Sequence, residues 1–176
     1  MPTKILIVID YQNDFVSGSL GFAGAELLEP LICAKIEAAW AEGAEVVFTF
    51  DTHGADYLST REGQDLPVPH CIKGEPGWEL YGRVANLCTP DSRCFEKPTF
   101  GSFELAQYLR DGGYSEVELC GLVSNICVIS NAALARAALP EAIIKVDAAC
   151  TGAGDPAINQ KALDVMQSFF IQITNR

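Results

Sequence analysis

The chain has 176 residues, of which 49% are hydrophobic, and its formal net charge at pH 7 is −11. This length suits a single domain, which we expect over residues 1–176. A domain of this size can bury a core large enough to be stable without disulfides or a structural metal. The excess of acid argues against binding to nucleic acid or to anionic membrane surfaces, because both ligands need Lys and Arg. No apolar run approaches the length of a membrane span.

The chain begins with "MPTKILIVID", in which the apolar run 4–10 predicts a strand buried on both faces of a parallel sheet and ending at Asp10. A signal peptide would show a separate apolar region before a small-residue cleavage site, and this segment does not, so we expect a cytoplasmic protein. Residues 12–26 predict a long loop. The stretch 30–43 predicts a helix, with Pro in its first turn and Gly43 as its stop.

A second apolar strand, "EVVFTFD" at 45–51, also ends in an aspartate, Asp51. The segment 52–96 is the least regular part of the chain. A turn-rich stretch of that length inside a compact domain is usually functional.

The second half alternates between helices and strands. The predicted elements are a helix at 101–113 with Ser102 as N-cap, a strand at 116–122, a helix at 125–140 with Ser124 as N-cap, a strand at 142–150, a helix at 155–170 with Asp155 as N-cap, and a closing strand within 169–174. This alternation predicts an α/β fold, a three-layer α/β/α sandwich with a mostly parallel, Rossmann-like sheet of about six strands. Ligands bind such sheets beyond the carboxyl ends of the strands, which draws attention to Asp10, Asp51 and the segment leading to Cys127.

Seven cysteines occur without a Cys-x-x-Cys pair, so thioredoxin-type and zinc-ribbon motifs are excluded. In a reducing cytosol most of them should be small buried hydrophobes. Cys127 stands out because it follows a strand and a turn, at the third position of the predicted helix. Backbone N–H groups and the helix dipole at such a position lower the pKa of a thiol and could hold an oxyanion beside the sulfur. Position alone leaves a buried structural cysteine equally open.

A carboxylate at Asp10 could take the thiol proton, although an Asp that caps a turn is a common alternative. Asp14 is a rival for the same role. Lys97 lies in extended chain just before a helix, and a lysine close to Cys127 and Asp10 would stabilise a thiolate, whereas taken alone Lys97 would be interpreted as a surface lysine. No histidine lies in these segments, so a Cys–His dyad is not indicated.

The irregular region holds both histidines of the chain, His53 and His70. With Asp51 they match the ligands of zinc, iron or manganese, and Glu62 is a further candidate ligand. Spacing alone favours two partly exposed histidines without a metal, because such short patterns arise by chance.

Three motifs, "DYQNDF" at 10–15, "EKPTFGSF" at 96–103 and "GLVSNICV" at 121–128, resemble the isochorismatase-like cysteine hydrolase superfamily in their order and spacing. The resemblance extends from "VIDYQNDF" to "VDAACTG" and implies a catalytic triad of Asp10, Lys97 and Cys127. It also implies a non-proline cis peptide at Val123–Ser124, which would aim the backbone N–H groups of Ser124 and Cys127 at an oxyanion.

Within this superfamily, "DTH…H" is similar to the nicotinamidases. That similarity implies a divalent metal, zinc in the first place and iron or manganese otherwise, held by Asp51, His53 and His70 together with Glu62. The ion would bind the pyridine nitrogen and orient the ring.

The resemblance also assigns the substrate pocket and shows two departures. Phe15 matches the pocket position of the family, with Tyr57 and Trp78 as further candidates for the aromatic that stacks on the ring. Pro67 stands where many nicotinamidases carry Trp, and Asn125 where they often carry Asp.

The resulting hypothesis is a metal-dependent amidohydrolase that converts nicotinamide and water into nicotinate and ammonia through a thioester on Cys127. One alternative is a cysteine hydrolase of another small amide or N-carbamoyl compound. A non-catalytic protein that binds a small ligand is an alternative of another class. The expected partner is a small-molecule amide substrate, without nucleic acid or membrane, and the family implies a homo-oligomer.

Overall fold

One parallel sheet organises the chain in the computed structural model, which describes residues 3–176. Its strands are β1 (Lys4–Ile9), β2 (Glu45–Asp51), β3 (Arg93–Lys97), β4 (Glu116–Leu122), β5 (Ile143–Gly152) and β6 (Gln172–Thr174). They lie in the order β3-β2-β1-β4-β5-β6, and every neighbouring pair is parallel. The α/β prediction with about six strands is therefore confirmed.

Helices cover both faces of this sheet. They are α1 (Asn13–Val16), α2 (Glu29–Ala41), α3 (Arg61–Asp65), α4 (Gly82–Leu87), α5 (Phe103–Gly112), α6 (Ile129–Ala138) and α7 (Pro156–Ser168). Short 3₁₀ turns occupy Ala25–Leu28, Tyr57–Ser59 and Pro76–Trp78, and a π-helical turn, Ser124–Val128, leads directly into α6. Among residues 3–176, no helix combines the length and the apolar character needed to cross a bilayer.

The unbroken apolar run of β1 has a simple cause, because the strand lies in the middle of the sheet and contacts a core on each face. Ile5, Ile7 and Ile9 pack into the core under α5, α6 and α7. Leu6 and Val8 pack into the other core, under α2 and α4. Both faces of a parallel sheet are buried in this way, so after the exposed Lys4 the strand holds no polar residue until it ends.

Two of the three predicted N-caps are confirmed. Ser102 Oγ accepts a hydrogen bond from Leu105 N at 3.1 Å, and Asp155 Oδ1 accepts one from Ala157 N at 2.7 Å. The third prediction is wrong, because Val123 is the N-cap and Ser124 is already inside the π-helical turn.

The predicted loop regions contain more regular structure than expected. The segment 12–26 holds α1, and 52–96 holds α3, α4 and most of β3. Strand β3 escapes prediction because it lies at the sheet edge and pairs only with β2. Three of its five residues are exposed, so its sequence "RCFEK" lacks an apolar run.

Gly121 is required where β4 passes β1. Its φ is 103°, and a Cβ on this residue would lie 2.0 Å from the backbone oxygen of Ile9. Glycine alone allows this close approach, which brings the end of β4 and the turn after it beside the end of β1.

Candidate active site

Three strand ends bring Asp10, Lys97 and Cys127 together. Asp10 follows β1, Lys97 is the last residue of β3, and Cys127 lies in the π-helical turn after β4. Lys97 Nζ lies 2.6 Å from Asp10 Oδ2 and 3.5 Å from Cys127 Sγ. All three side chains are buried, with exposures of 0%, 1% and 4% for Asp10, Lys97 and Cys127. Carboxylate, ammonium and sulfur therefore form one compact, water-poor cluster.

Asp10 is held by its neighbour strand in an unusual backbone conformation. Its φ is 42°, in the left-handed region that Asp and Asn enter more readily than most residues. The Thr49 hydroxyl of β2 donates to Asp10 Oδ1 at 2.6 Å, and Asp10 N donates to Thr49 O at 3.3 Å. These contacts direct the other carboxylate oxygen toward Lys97.

The charges in this cluster follow from burial and proximity. Burial raises the pKa of the Cys127 thiol well above its usual value, and the adjacent Asp10 carboxylate raises it further, against the opposing effect of Lys97. The expected fall in this pKa is therefore not what the structure indicates. Burial lowers the pKa of Lys97, but Asp10 and the sulfur outweigh it and raise that pKa, so the ammonium stays charged. The resting site accordingly holds a protonated thiol and a charged Lys97 beside Asp10, whose own pKa is raised by burial.

The turn that carries Cys127 is π-helical rather than α-helical. Val128 N donates to Val123 O at 3.1 Å, which makes Val128 the first residue with a π-type hydrogen bond. The N–H groups of Ser124 and Cys127 precede that bond in the turn. The cis peptide joins Leu122 to Val123, one bond earlier than the expected Val123–Ser124 position.

A second group of side chains lies beside this cluster and consists of Asp51, His53, Glu62 and His70, with ligand atoms all within 4.8 Å of one another. The Nε2 atoms of His53 and His70 lie 3.1 and 3.3 Å from Asp51 Oδ2, and each lies 3.6 Å from Glu62 Oε1. A tetrahedral ion with bonds of about 2.1 Å has ligand–ligand edges of about 3.4 Å. Two imidazoles and two carboxylates at this spacing fit a divalent ion such as zinc.

The ring of His70 is oriented for this role. Its Nδ1 donates to Val68 O at 2.8 Å, which leaves Nε2 as the free nitrogen facing the other three side chains. A metal-binding histidine commonly has its second nitrogen fixed by such a bond.

Asp51 joins the two groups. Its Oδ2 faces both imidazoles, and its Oδ1 lies 3.3 Å from Lys97 Nζ. Burial would raise the pKa of Asp51, but its close contacts with the two imidazoles and the charge of Lys97 lower it well below its usual range. This carboxylate is therefore ionised and shared between the ligand set and Lys97.

Three further residues that the sequence analysis did not single out hold this arrangement. They are Thr49, described above, Gln12 and Asn131. Gln12 pairs with the backbone of Asp51, since its Nε2 donates to Asp51 O at 2.9 Å and its Oε1 accepts from Asp51 N at 2.8 Å. Asn131 donates to Cys127 O at 2.8 Å and to Phe100 O at 3.0 Å, and accepts from the N–H of Ser102, also at 3.0 Å. The sequence does contain one sign of this role for Asn131. It is an amide four residues after Cys127, on the same face of a helix that is otherwise rich in alanine.

Asp14, the rival of Asp10, lies outside the cluster of Asp10, Lys97 and Cys127. Its Oδ2 accepts a hydrogen bond from Cys71 N at 2.8 Å, directly after His70. The Asp14 carboxylate thus fixes the backbone next to His70.

Two neighbouring cavities open beside the site. One, of about 670 Å³, is lined on the ligand side by His53 and Glu62, and the other, of about 480 Å³, is lined by Phe15 and Asn125. Leu66 and Ile126 line both cavities, which places the two cavities side by side.

The three aromatic candidates for the pocket take different positions. The Phe15 ring faces the His70 ring at 5.6 Å and lines the smaller cavity. Tyr57 is 1% exposed and packs edge-on against both histidines at 4.8 and 5.0 Å, so it supports the ligand rings from behind. Trp78 packs on Phe50 and lines neither cavity.

Comparisons with known proteins place nearly the whole chain in one family. The family of the isochorismatase domain matches residues 4–176. The nicotinamidase/pyrazinamidase of Mycobacterium tuberculosis is 29% identical over 139 residues, covering 71% of this chain and 74% of that protein. The crystal structure of a nicotinamidase/pyrazinamidase from Bacillus subtilis is 31% identical, with a TM-score of 0.87 and coverage of 98% of this chain and 99% of that one. A pyrazinamidase of Pyrococcus horikoshii, solved in complex with zinc, is 28% identical, with a TM-score of 0.86 and coverage of 99% and 100%.

Proposed function

The chain belongs to the isochorismatase family, and from that premise we propose that it is a zinc-dependent nicotinamidase that uses Cys127 as its nucleophile. The observation that carries the proposal is the position of Lys97, 2.6 Å from Asp10 and 3.5 Å from Cys127 Sγ, beside a ligand set of two imidazoles and two carboxylates. Relatives named as nicotinamidases and pyrazinamidases support a hydrolase that acts on an amide C–N bond.

The first half of the reaction is transfer of the acyl group to sulfur. Asp10 takes the proton of the Cys127 thiol while Sγ forms a bond to the carboxamide carbon. The raised pKa of the buried thiol makes this base necessary, because the sulfur is not ionised beforehand. The C–N bond then breaks, Asp10 passes the proton to the leaving nitrogen, and ammonia and a thioester result.

Negative charge develops on the carbonyl oxygen during this step. The backbone N–H groups of Ser124 and Cys127, which precede the first π-type hydrogen bond of the turn, are the proposed donors to that oxygen. Lys97 remains a charged ammonium and balances the negative charge as it moves between sulfur and Asp10.

The second half is hydrolysis of the thioester. Asp10 takes a proton from water, the water oxygen bonds to the acyl carbon, and the C–S bond breaks. The proton returns to Sγ and restores the starting thiol, and the product leaves as nicotinate after its second water-derived proton passes to solvent. Asp10 thus acts first as a base toward sulfur and then as a base toward water.

The ligand set supplies orientation rather than proton transfer. A zinc ion held by Asp51, His53, Glu62 and His70 would bind the ring nitrogen of the substrate and hold the ring in place. Gln12 fixes the backbone of Asp51, and Tyr57 supports both imidazole rings.

Ammonia release from nicotinamide tests the nucleophile. Wild-type protein loaded with zinc should release ammonia, and Cys127→Ala should show no release above background. Cys33→Ala is the matched control, since Cys33 is equally buried but lies on α2, away from the site. Unchanged release by Cys127→Ala, or none by the loaded wild type, would contradict the proposal.

Metal content tests the ligand set independently of activity. Dialysed wild-type protein should retain about one zinc per chain, and His53→Ala or His70→Ala should retain far less, because the remaining three ligands bind more weakly. Wild-type stoichiometry in both variants would exclude this set of ligands.

A further inference from the structure

Two of the seven cysteines face each other at the edge of the sheet, away from the site described above. Cys88 lies directly after α4, and Cys94 is the second residue of β3. Their sulfur atoms are 3.5 Å apart, and both thiols are free. Cys94 thus lies near the first residue of β3, whereas Lys97 is the last residue of the same strand.

The pair differs from the other five cysteines in its exposure. Cys33, Cys71, Cys120, Cys127 and Cys150 are all buried, whereas Cys94 is exposed and Cys88 half-buried. Cys94 also lines an open surface cavity of about 730 Å³, which is large enough for a small thiol-reactive molecule. A reagent in the solvent can therefore reach this sulfur.

The short loop between the two sulfurs holds them in place. Ser92 N donates to Thr89 O at 2.9 Å, and Thr89 N donates to Ser92 Oγ at 3.0 Å. Pro90 follows Thr89 in this turn and restricts its backbone. A disulfide has a bond of about 2.05 Å, so the sulfurs need to approach by only about 1.5 Å.

Reactivity is distributed unequally within the pair. Cys94 is the more exposed of the two, and the contact with the Cys88 sulfur lowers the pKa of its thiol against the opposing effect of burial. Thiolates, rather than thiols, attack disulfides, so Cys94 is the attacking sulfur and Cys88 the resolving one.

We propose that Cys88 and Cys94 form a redox-active dithiol, a modification site that is oxidised by small disulfides of the glutathione type. The Cys94 thiolate attacks one sulfur of the small disulfide, whose S–S bond breaks, and one small thiol leaves with a proton. Cys88 then gives up its proton and attacks Cys94 Sγ, the mixed disulfide breaks, and a second small thiol leaves. The protein loses two hydrogens and two electrons, and one small disulfide becomes two thiols.

Peptide mass spectrometry on the full chain tests this proposal. The protein is incubated with oxidised glutathione, its remaining thiols are alkylated, and it is digested with trypsin without reduction. Trypsin cleaves after Arg93, between the two cysteines, so peptide 84–93 stays joined to the peptide beginning at Cys94 only through a disulfide. We expect the joined pair, with its mass two hydrogens below the sum of the reduced peptides, and its loss on reduction. Separate, alkylated peptides after oxidation would overturn the proposal.

Single variants distinguish the two roles. Cys88→Ser should accumulate a stable glutathione adduct on Cys94, Cys94→Ser should give no adduct or cross-link, and Cys127→Ala should cross-link as the wild type does. In the wild type, Cys94 should be modified at least about tenfold faster than the buried Cys33. A glutathione adduct that persists on Cys94 in the wild type would show that Cys88 does not resolve it, and would refute the pair.

Discussion

Replacing Asn131 by alanine should destabilise the protein and slow the reaction, because one amide joins the Cys127 turn to the loop after Lys97. The side chain is 1% exposed and makes three hydrogen bonds, to Cys127 O, Phe100 O and Ser102 N. At about 1 kcal/mol for each lost bond, the free energy of unfolding falls by about 3 kcal/mol. The better helix propensity of alanine offsets about 0.5 kcal/mol of this.

Urea unfolding measures this change, and thermal unfolding should show a fall in Tm of about 5–10 °C. Asn86→Ala is the control, since Asn86 is exposed on α4 and its replacement should change stability by less than about 0.5 kcal/mol. If Asn131→Ala is no less stable than Asn86→Ala, the amide does not join the two segments as the hydrogen bonds indicate.

The isosteric change Asn131→Asp tests the same hydrogen bonds through the pH dependence of stability. One oxygen of the new carboxyl can still accept from Ser102 N, but the other faces Cys127 O and Phe100 O, at the 2.8 and 3.0 Å now bridged by the amide. Only the protonated carboxyl can donate there, so folding should raise its pKa above the unfolded value of about 3.9. The free energy of unfolding of this variant should therefore approach that of the wild type below about pH 4 and fall as pH rises to 7. A deficit that does not change between pH 4 and pH 7 would refute the assignment of the two carbonyl partners.

Two further changes test the buried charges. Lys97→Met leaves the carboxylates of Asp10 and Asp51 without their ammonium, and urea unfolding should show a loss of about 3–5 kcal/mol, whereas a loss below about 1 kcal/mol would count against the ion pairs. Burial would raise the pKa of Asp147, but hydrogen bonds, chiefly from Lys35 at 2.6 Å, lower it, so its contribution exists above about pH 4 and is lost as pH falls. Asp147→Asn should therefore reduce stability at pH 7 and differ less from the wild type near pH 3, and a deficit that grows on acidification would contradict this.

The strands that the sequence predicts best are those with two buried faces. Residues 45–51 and 116–122 were predicted with the bounds that the structure has, because burial on both sides leaves an apolar run that stops where the sheet stops. The edge strand β3 has one solvent-facing row of side chains and only one partner, so its five residues carry no such run. The π-helical turn at Ser124–Val128 was missed for another reason, since it differs from an α-helical turn in hydrogen bonding and not in apolar pattern.

The residues of the candidate site also fall into those that the sequence indicates and those that it does not. Asp10, Asp51 and Cys127 were singled out because they lie at strand ends or in the turn just after one, a position that follows from topology. Gln12, Thr49 and Asn131 were not singled out, because their partners lie between 4 and 66 residues away in sequence and mostly in other elements. Contacts of that kind depend on how the elements pack, which no local pattern records.

The left-handed backbone of Asp10 determines which inactive variant is suited to a substrate complex. Alanine would remove the proposed base but also place an ordinary residue at a φ of 42°, where its Cβ is disfavoured, so a loss of activity would not separate a missing carboxylate from a displaced strand end. Asparagine tolerates the same conformation, keeps the shape of the side chain and can still accept from the Thr49 hydroxyl. Crystals grown with Asp10→Asn and nicotinamide should therefore preserve the geometry of the intact site while turnover is blocked.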